Sequence, residues 1–247
     1  MNTRNKKMRT TFDDSYLDYV LQMSPSTNLM KNEKDIYKYI HKFFDQNNGY
    51  KSLNIKSPYD TGKTQMIKTI LTVYKPKRIL WISYRRTLTM DLMKNFKSLG
   101  FEDYQTCDIN NADRLIIQLE SLIRVNDIHV LKTVEFAQVT KYDLIIIDEV
   151  ESVLQQFNSP TMKNMSKLIF DYLQILISES KQLITLDGGM DDKTYHYVNS
   201  FGKALNVINT AKFNQKQFLV INNESTFTGA MIDDVFVKDK KMFLWVA

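Results

Sequence analysis

Residues 57–64 read "SPYDTGKT", and the fold turns on whether this is a phosphate-binding loop. Such a loop ends in Gly-Lys-Ser/Thr after a short turn, and Gly62, Lys63 and Thr64 hold those places. Ser57 stands where the motif usually begins with glycine. The loop works by turning backbone N–H groups and the positive end of the following helix onto phosphate oxygens, while its lysine reaches the outer phosphates and its hydroxyl binds magnesium. It must therefore join a strand to a helix. "KSLNI" (51–55) before it and "TQMIKTILTVY" (64–74) after it have those patterns, and the helix has to stop ahead of Pro76.

Outward from the loop, short apolar runs alternate with amphipathic stretches, the mark of an α/β domain with a mainly parallel sheet. The runs are "ILWIS" (79–83), "RLIIQL" (114–119), "YDLIIID" (142–148), "QLITLD" (182–187), "ALNVIN" (204–209) and "QFLVIN" (217–222). Between them, "TLTMDLMKNFKSLG" (87–100) reads as a helix ending at Gly100, and another is expected from about Pro160 through "TMKNMSKLIFDYLQILIS". The first fifty residues read as a helical extension, with "DDSYLDYVLQM" (13–23) opening on acids and "NEKDIYKYIHKFF" (32–44) placing Ile36, Ile40, Phe43 and Phe44 on one face.

The strand "YDLIIID" runs into Asp148 and Glu149, two carboxylates expected at the carboxyl edge of the sheet, where open α/β sheets bind ligands. Asp148 is the candidate to hold a magnesium ion and Glu149 to orient or deprotonate an attacking water. A single acid there could simply mark where a buried strand meets solvent. A pair downstream of a phosphate loop makes nucleotide binding the stronger reading.

Composition sets limits. The 247 residues suffice for one large domain, and 43% hydrophobic with 25% charged residues is the balance of a soluble globular protein. No apolar run reaches a membrane span of roughly 20 residues, and the first residues lack the apolar centre of a secretory signal. The expectation is a soluble, intracellular protein with no membrane partner. One cysteine, Cys107, excludes an internal disulfide framework, and the three histidines lack ligand spacing. The net charge of +5 is a modest basic bias compatible with nucleic acid, and the runs "TRNKKMR", "KPKR", "YRR" and "KDKK" each read first as solvated loops, since charge runs usually face water.

The loop, then "ILWISYRRTLTMDLMKNF", "DRLIIQLESLIRV", "YDLIIIDEVESVLQQFNSPTMKN" and "LDGGM", resemble the successive motifs of superfamily 2 helicases. More narrowly they resemble the herpesvirus-type replication origin-binding helicases of large DNA viruses, over roughly residues 52 to 210. The resemblance implies a RecA-like P-loop NTPase lobe, its sheet sandwiched by helices, that binds ATP and Mg2+. Ser57, Pro58, Asp60, Thr61, Gly62, Lys63 and Thr64 would then hold the nucleotide, with Thr64 and Asp148 on the metal and Lys63, Asp148 and Glu149 as catalytic residues. DNA, single-stranded or origin duplex, is the implied partner, besides other replication proteins, in the host cell or the virion. Ser83, Arg85 and Arg86 fall in a motif that meets the nucleic-acid backbone, as a Ser and paired Arg at a strand's end can do without reading sequence. Gln118, Ser121 and Leu122 align with a further motif of the same face. Ordinary exposed charge and simple sheet packing are the alternatives for these two groups.

Two departures stand against the resemblance. Asp60 replaces a glycine usual in the loop; Asp tolerates the left-handed backbone but would bring a carboxylate near phosphate oxygens. "LDGGM" (186–190) stands where an Asp-Ala-Thr sequence is usual, so the hydroxyl that couples hydrolysis to strand movement is missing there. The expected layout is a helical extension over 1–50, the ATP-binding lobe over 51–212, and over 213–247 a linker with the first strand of a truncated second lobe. Such a lobe would hydrolyse ATP weakly unless a second lobe supplied its arginine. The alternative function is a non-catalytic, degenerate paralogue that binds nucleic acid or a replisome partner.

Overall fold

The computed structural model describes residues 19–21, 33–58, 61–134, 138–162 and 164–209, all within one compact unit spanning Met1–Phe213. The sheet has eight strands: β1 (Tyr19–Leu21), β2 (Ser52–Lys56), β3 (Ile79–Ser83), β4 (Glu102–Asp103), β5 (Arg114–Gln118), β6 (Leu144–Asp148), β7 (Gln182–Asp187) and β8 (Ala204–Asn209). Their order is β1-β8-β2-β7-β6-β3-β5-β4, and every pairing is parallel. The helices are α1 (Glu33–Phe44), α2 (Lys63–Tyr74), α3 (Arg86–Phe96), α4 (Ile128–Leu131), α5 (Val150–Gln155), α6 (Ser166–Glu179) and α7 (Asp192–Asn199). This is the α/β arrangement with a parallel sheet expected from the sequence.

A parallel sheet needs cover on both faces, which is why its strands read as unbroken apolar runs. Successive side chains still point to opposite sides. Ile79 and Trp81 of β3 therefore enter a core with Ile40 and Phe43 of α1, Met66 and Ile70 of α2 and Leu92 of α3. Leu80 and Ile82 enter the other core, with Val153 of α5, Tyr172 and Leu176 of α6 and Val198 of α7. Trp81 is fully buried, with Phe96 at 4.7 Å and Phe101 at 6.0 Å between ring centroids. Truncating a buried aromatic side chain of this kind to alanine costs about 3–5 kcal/mol.

Two expectations need correction. "DDSYLDYVLQM" reads as helix, yet Tyr19–Leu21 form strand β1 beside β8, in the register Tyr19 to Val207. Consecutive Tyr, Val and Leu suit a pleated edge, and a pairing across the whole domain outweighs a local helical signal. The helix expected from Pro160 begins instead at Ser166, after a separate 3-10 turn over Pro160–Met162. There Ser159 and Thr161 share a hydroxyl hydrogen bond at 2.9 Å, and short hydroxyl side chains of this kind compete with helical backbone bonding. "QFLVIN" and the rest of the segment over 213–247 lie outside the described residues.

Candidate nucleotide site and nucleic-acid face

The candidate phosphate loop leaves β2 at Lys56. The Ser57 amide donates to the Asp187 carbonyl at 2.8 Å, which carries the β2–β7 ladder one residue into the loop. Ser57 is fully buried, and its hydroxyl belongs to a chain of bonds: Asn209 Nδ2 donates to it at 2.9 Å, and it meets the Thr61 hydroxyl at 2.7 Å. Thr61 gives its own proton to the Pro58 carbonyl at 2.7 Å, so Ser57 is the donor to Thr61. Ser57 thus staples the loop from inside where glycine would have left it loose. Tyr59 and Asp60 lie outside the described residues.

Gly62 has φ 81° and ψ 19°, a left-handed conformation that costs glycine little. It precedes α2 without a side-chain cap, and the first turn of α2 carries no acid. The leading N–H groups of a helix need an acceptor, and the dipole there favours an anion. Lys63 adds a cation at the same end. It is 9% exposed and donates to the carbonyls of Ser57 at 2.7 Å and Pro58 at 3.0 Å. An uncapped helix start with a buried ammonium is a chemical match for phosphate.

The acids come from β6, separated from β2 by the single strand β7. Asp148 ends β6 and is 7% exposed. Burial, then the Glu149 charge beside it, push its carboxyl up to about 7, against the opposing pull of Lys63 and of the Glu149 amide, which donates to Asp148 Oδ1 at 3.1 Å. Glu149 sits at φ 53° and ψ 54°, a left-handed backbone that costs a non-glycine residue on the order of 1–3 kcal/mol. Lys63, Thr64, Asp148 and Glu149 line one cleft of about 540 Å³. A buried carboxylate held near neutrality, with an exposed Thr64 hydroxyl in the same cleft, offers the hard oxygen donors that suit magnesium.

The second group of predicted residues divides. Arg85 and Arg86 are exposed at the start of α3, with the Arg85 guanidinium 4.8 Å from the Tyr84 ring centre. Ser83 is fully buried, and its hydroxyl meets that of Thr89 at 2.7 Å at the turn into α3. Gln118 pairs with Ser83 across β5 and β3; it accepts from the Tyr104 hydroxyl at 3.0 Å and donates to the Tyr84 carbonyl at 3.4 Å. Ser121 is half-buried and Leu122 belongs to the core.

Sequence reasoning missed Asp187 and Glu151. Asp187 Oδ2 accepts the Glu151 amide at 2.9 Å, and its Oδ1 accepts the Gly189 amide at 2.7 Å. A signal was present: Asp187 ends an apolar strand ahead of two glycines, and Glu151 is the third acid within four residues.

A family model described as origin of replication binding protein matches residues 3–232. A protein of Acanthamoeba polyphaga mimivirus named for replication-origin binding is 37% identical over 202 residues, covering 79% of this chain and 25% of the relative. The replication origin-binding protein of human herpesvirus 6B is 30% identical over 153 residues, covering 60% and 17%. The chain thus spans about a quarter or less of the length of these curated relatives. A solved structure of S. cerevisiae Dbp5 bound to Nup159, Gle1, IP6 and ADP aligns with a TM-score of 0.49 at 14% identity, covering 74% of this chain and 50% of that one. With nearly its whole length matched by the family model, the chain belongs to the origin of replication binding protein family.

Proposed function

We propose that this chain is the ATP-binding lobe of a viral DNA replication helicase of the origin-binding type. One observation carries the reading: Lys63 on the phosphate loop and the Asp148–Glu149 pair, from strands two places apart, line one cleft at the carboxyl rim. Lys63 and the leading N–H groups of α2 hold the phosphates, and Glu149 accepts the proton of the attacking water. Thr64 and Asp148 hold magnesium, which when bound neutralises charge on the phosphate oxygens. Arg85 and Arg86 grip the nucleic-acid backbone without reading bases. α3 connects the two functions, since it starts at these arginines and lends Asn95 and Phe96 to the nucleotide cleft.

A second lobe completes the site by adding an arginine opposite the phosphates, supplied in the same polypeptide or by a partner chain. The test is DNA-stimulated ATP hydrolysis with that lobe present, comparing the parent with Lys63→Ala. Stimulation lost on substitution supports the proposal. DNA binding with no hydrolysis, and no change at Lys63, assigns the chain instead to the non-catalytic binding role.

A further inference from the structure

β2 and β8 run side by side in the register that sets Lys56 beside Ile208. Around the ends of these strands stand two buried polar residues: Ser57 is fully buried, and Asn209 is 4% exposed. Leu53 and Ile55 precede Ser57 on one face, as Leu205 and Val207 precede Asn209, and all four belong to the apolar core that packs under α2. A hydroxyl and an amide that continue an apolar face are costly unless hydrogen-bonded. Here each serves the other, since Asn209 Nδ2 donates to Ser57 Oγ at 2.9 Å.

Ser57 is therefore held from both neighbouring strands. Its amide is bonded to β7 through the Asp187 carbonyl at 2.8 Å, and its hydroxyl to β8 through Asn209. Because the Asn209 nitrogen only donates, the Ser57 proton is left for Thr61 at 2.7 Å, and the Thr61 proton for the Pro58 carbonyl at 2.7 Å. The chain of bonds ends at Lys63. Its ammonium donates to the carbonyls of Ser57 at 2.7 Å and Pro58 at 3.0 Å, the two residues that the chain pins.

Resting on the nucleotide-binding reading above, we propose that Asn209 is a positioning residue for Lys63. Acting through Ser57 and Thr61, it fixes the loop carbonyls that hold the Lys63 ammonium at the cleft shared with Asp148 and Glu149. Asn209 does not itself line that cleft. Its effect on phosphate passes through the loop.

Two measurements on the folded chain test this. The first is acylation of lysines by acetic anhydride without nucleotide, read residue by residue by mass spectrometry. Asn209→Leu raises the rate at Lys63 by roughly threefold to tenfold, the worth of one net hydrogen bond. Lys51, whose ammonium also donates to a backbone carbonyl, that of Ser178 at 3.3 Å, keeps the parent rate. The second is direct titration with magnesium and a slowly hydrolysed ATP analogue. Asn209→Leu and Ser57→Ala each weaken binding by roughly threefold to tenfold, and the double variant binds no more weakly than the weaker single one, as residues of one chain of bonds do. Asn209→Ala carries both measurements if Asn209→Leu does not fold. An unchanged rate at Lys63, an equal rise at Lys51, unchanged affinity, or additive losses in the double variant each overturn the proposal. A parent that does not bind the analogue overturns the nucleotide reading, while the acylation arm still decides whether Asn209 holds Lys63.

Discussion

The Ser57 amide and the Asp187 carbonyl are hydrogen-bonded at 2.8 Å, so the loop proposed to bind phosphate starts as a continuation of the β2–β7 ladder. β7 in turn pairs with β6, in the register that sets Leu186 beside Asp148. Neighbouring strands lie about 4.8 Å apart, which places the ends of β2 and β6 roughly 10 Å from each other. That interval leaves room between Lys63 and the acids for phosphates and a hydrated cation. Were the two strands adjacent, the lysine and the carboxylates would close on each other as an ion pair.

Asp148 sets a pH dependence. Its ordinary carboxyl value of 3.8 is pushed up to about 7, chiefly by burial, so the folded chain favours the neutral acid. Stability from this group is fully present below pH 3.8 and is lost as pH rises through about 7, a difference on the order of 4 kcal/mol at most. Asp148→Asn, neutral at every pH, is therefore expected to be more stable than the parent at pH 8 without nucleotide, with the gap closing toward pH 4. Urea denaturation across that range measures it. A gap that does not change with pH would contradict the assignment.

Arg85 and Arg86 face water at the N-terminal end of α3, where the helix dipole repels a cation. Replacing either with alanine is expected to raise stability at low salt by about 0.3–1 kcal/mol. It should also weaken DNA binding and lower the slope of log affinity against log salt by about one. Fluorescence titrations over a range of salt concentrations read the second effect and thermal melts the first. Unchanged DNA affinity in the double variant would remove these arginines from the interface.

Ser83 separates a shaping role from a contact role. Its buried hydroxyl is shared with Thr89, so Ser83→Ala should cost about 1 kcal/mol of stability. The salt slope of DNA binding should stay as in the parent. A slope reduced as much as by Arg85→Ala would show that the hydroxyl turns outward onto phosphate.

Much of this was legible in the sequence. "ILWIS", "LIIID" and "QLITLD" announced β3, β6 and β7, because strands covered on both faces need apolar residues at every position. Gly-Lys-Thr and Asp-Glu announced the cleft, since their chemistry requires those residue types at strand ends. What stayed hidden depends on pairing at a distance. Tyr19–Leu21 became a strand only through β8, and β4, two residues long, has too little sequence to carry a pattern. The motif sets Ser83 beside the nucleic-acid backbone, and nothing in it signals that the hydroxyl is buried against Thr89. The bonds from Asp187 to Glu151 and from Glu151 to Asp191 join separate strands and loops, which no spacing rule anticipates.

The central claim, that Lys63 and the Asp148–Glu149 pair form one nucleotide site, is tested most directly by a thermal melt of the chain with magnesium and ATP, beside Lys63→Ala. Ligand at about 100 times its dissociation constant adds about 2.7 kcal/mol to the folded state. For a domain of this size that is a rise of roughly 5–10 °C. The account predicts this rise in the parent, its loss without magnesium, and its absence in a folded Lys63→Ala. No rise in the parent, or an equal rise in the variant, would contradict it.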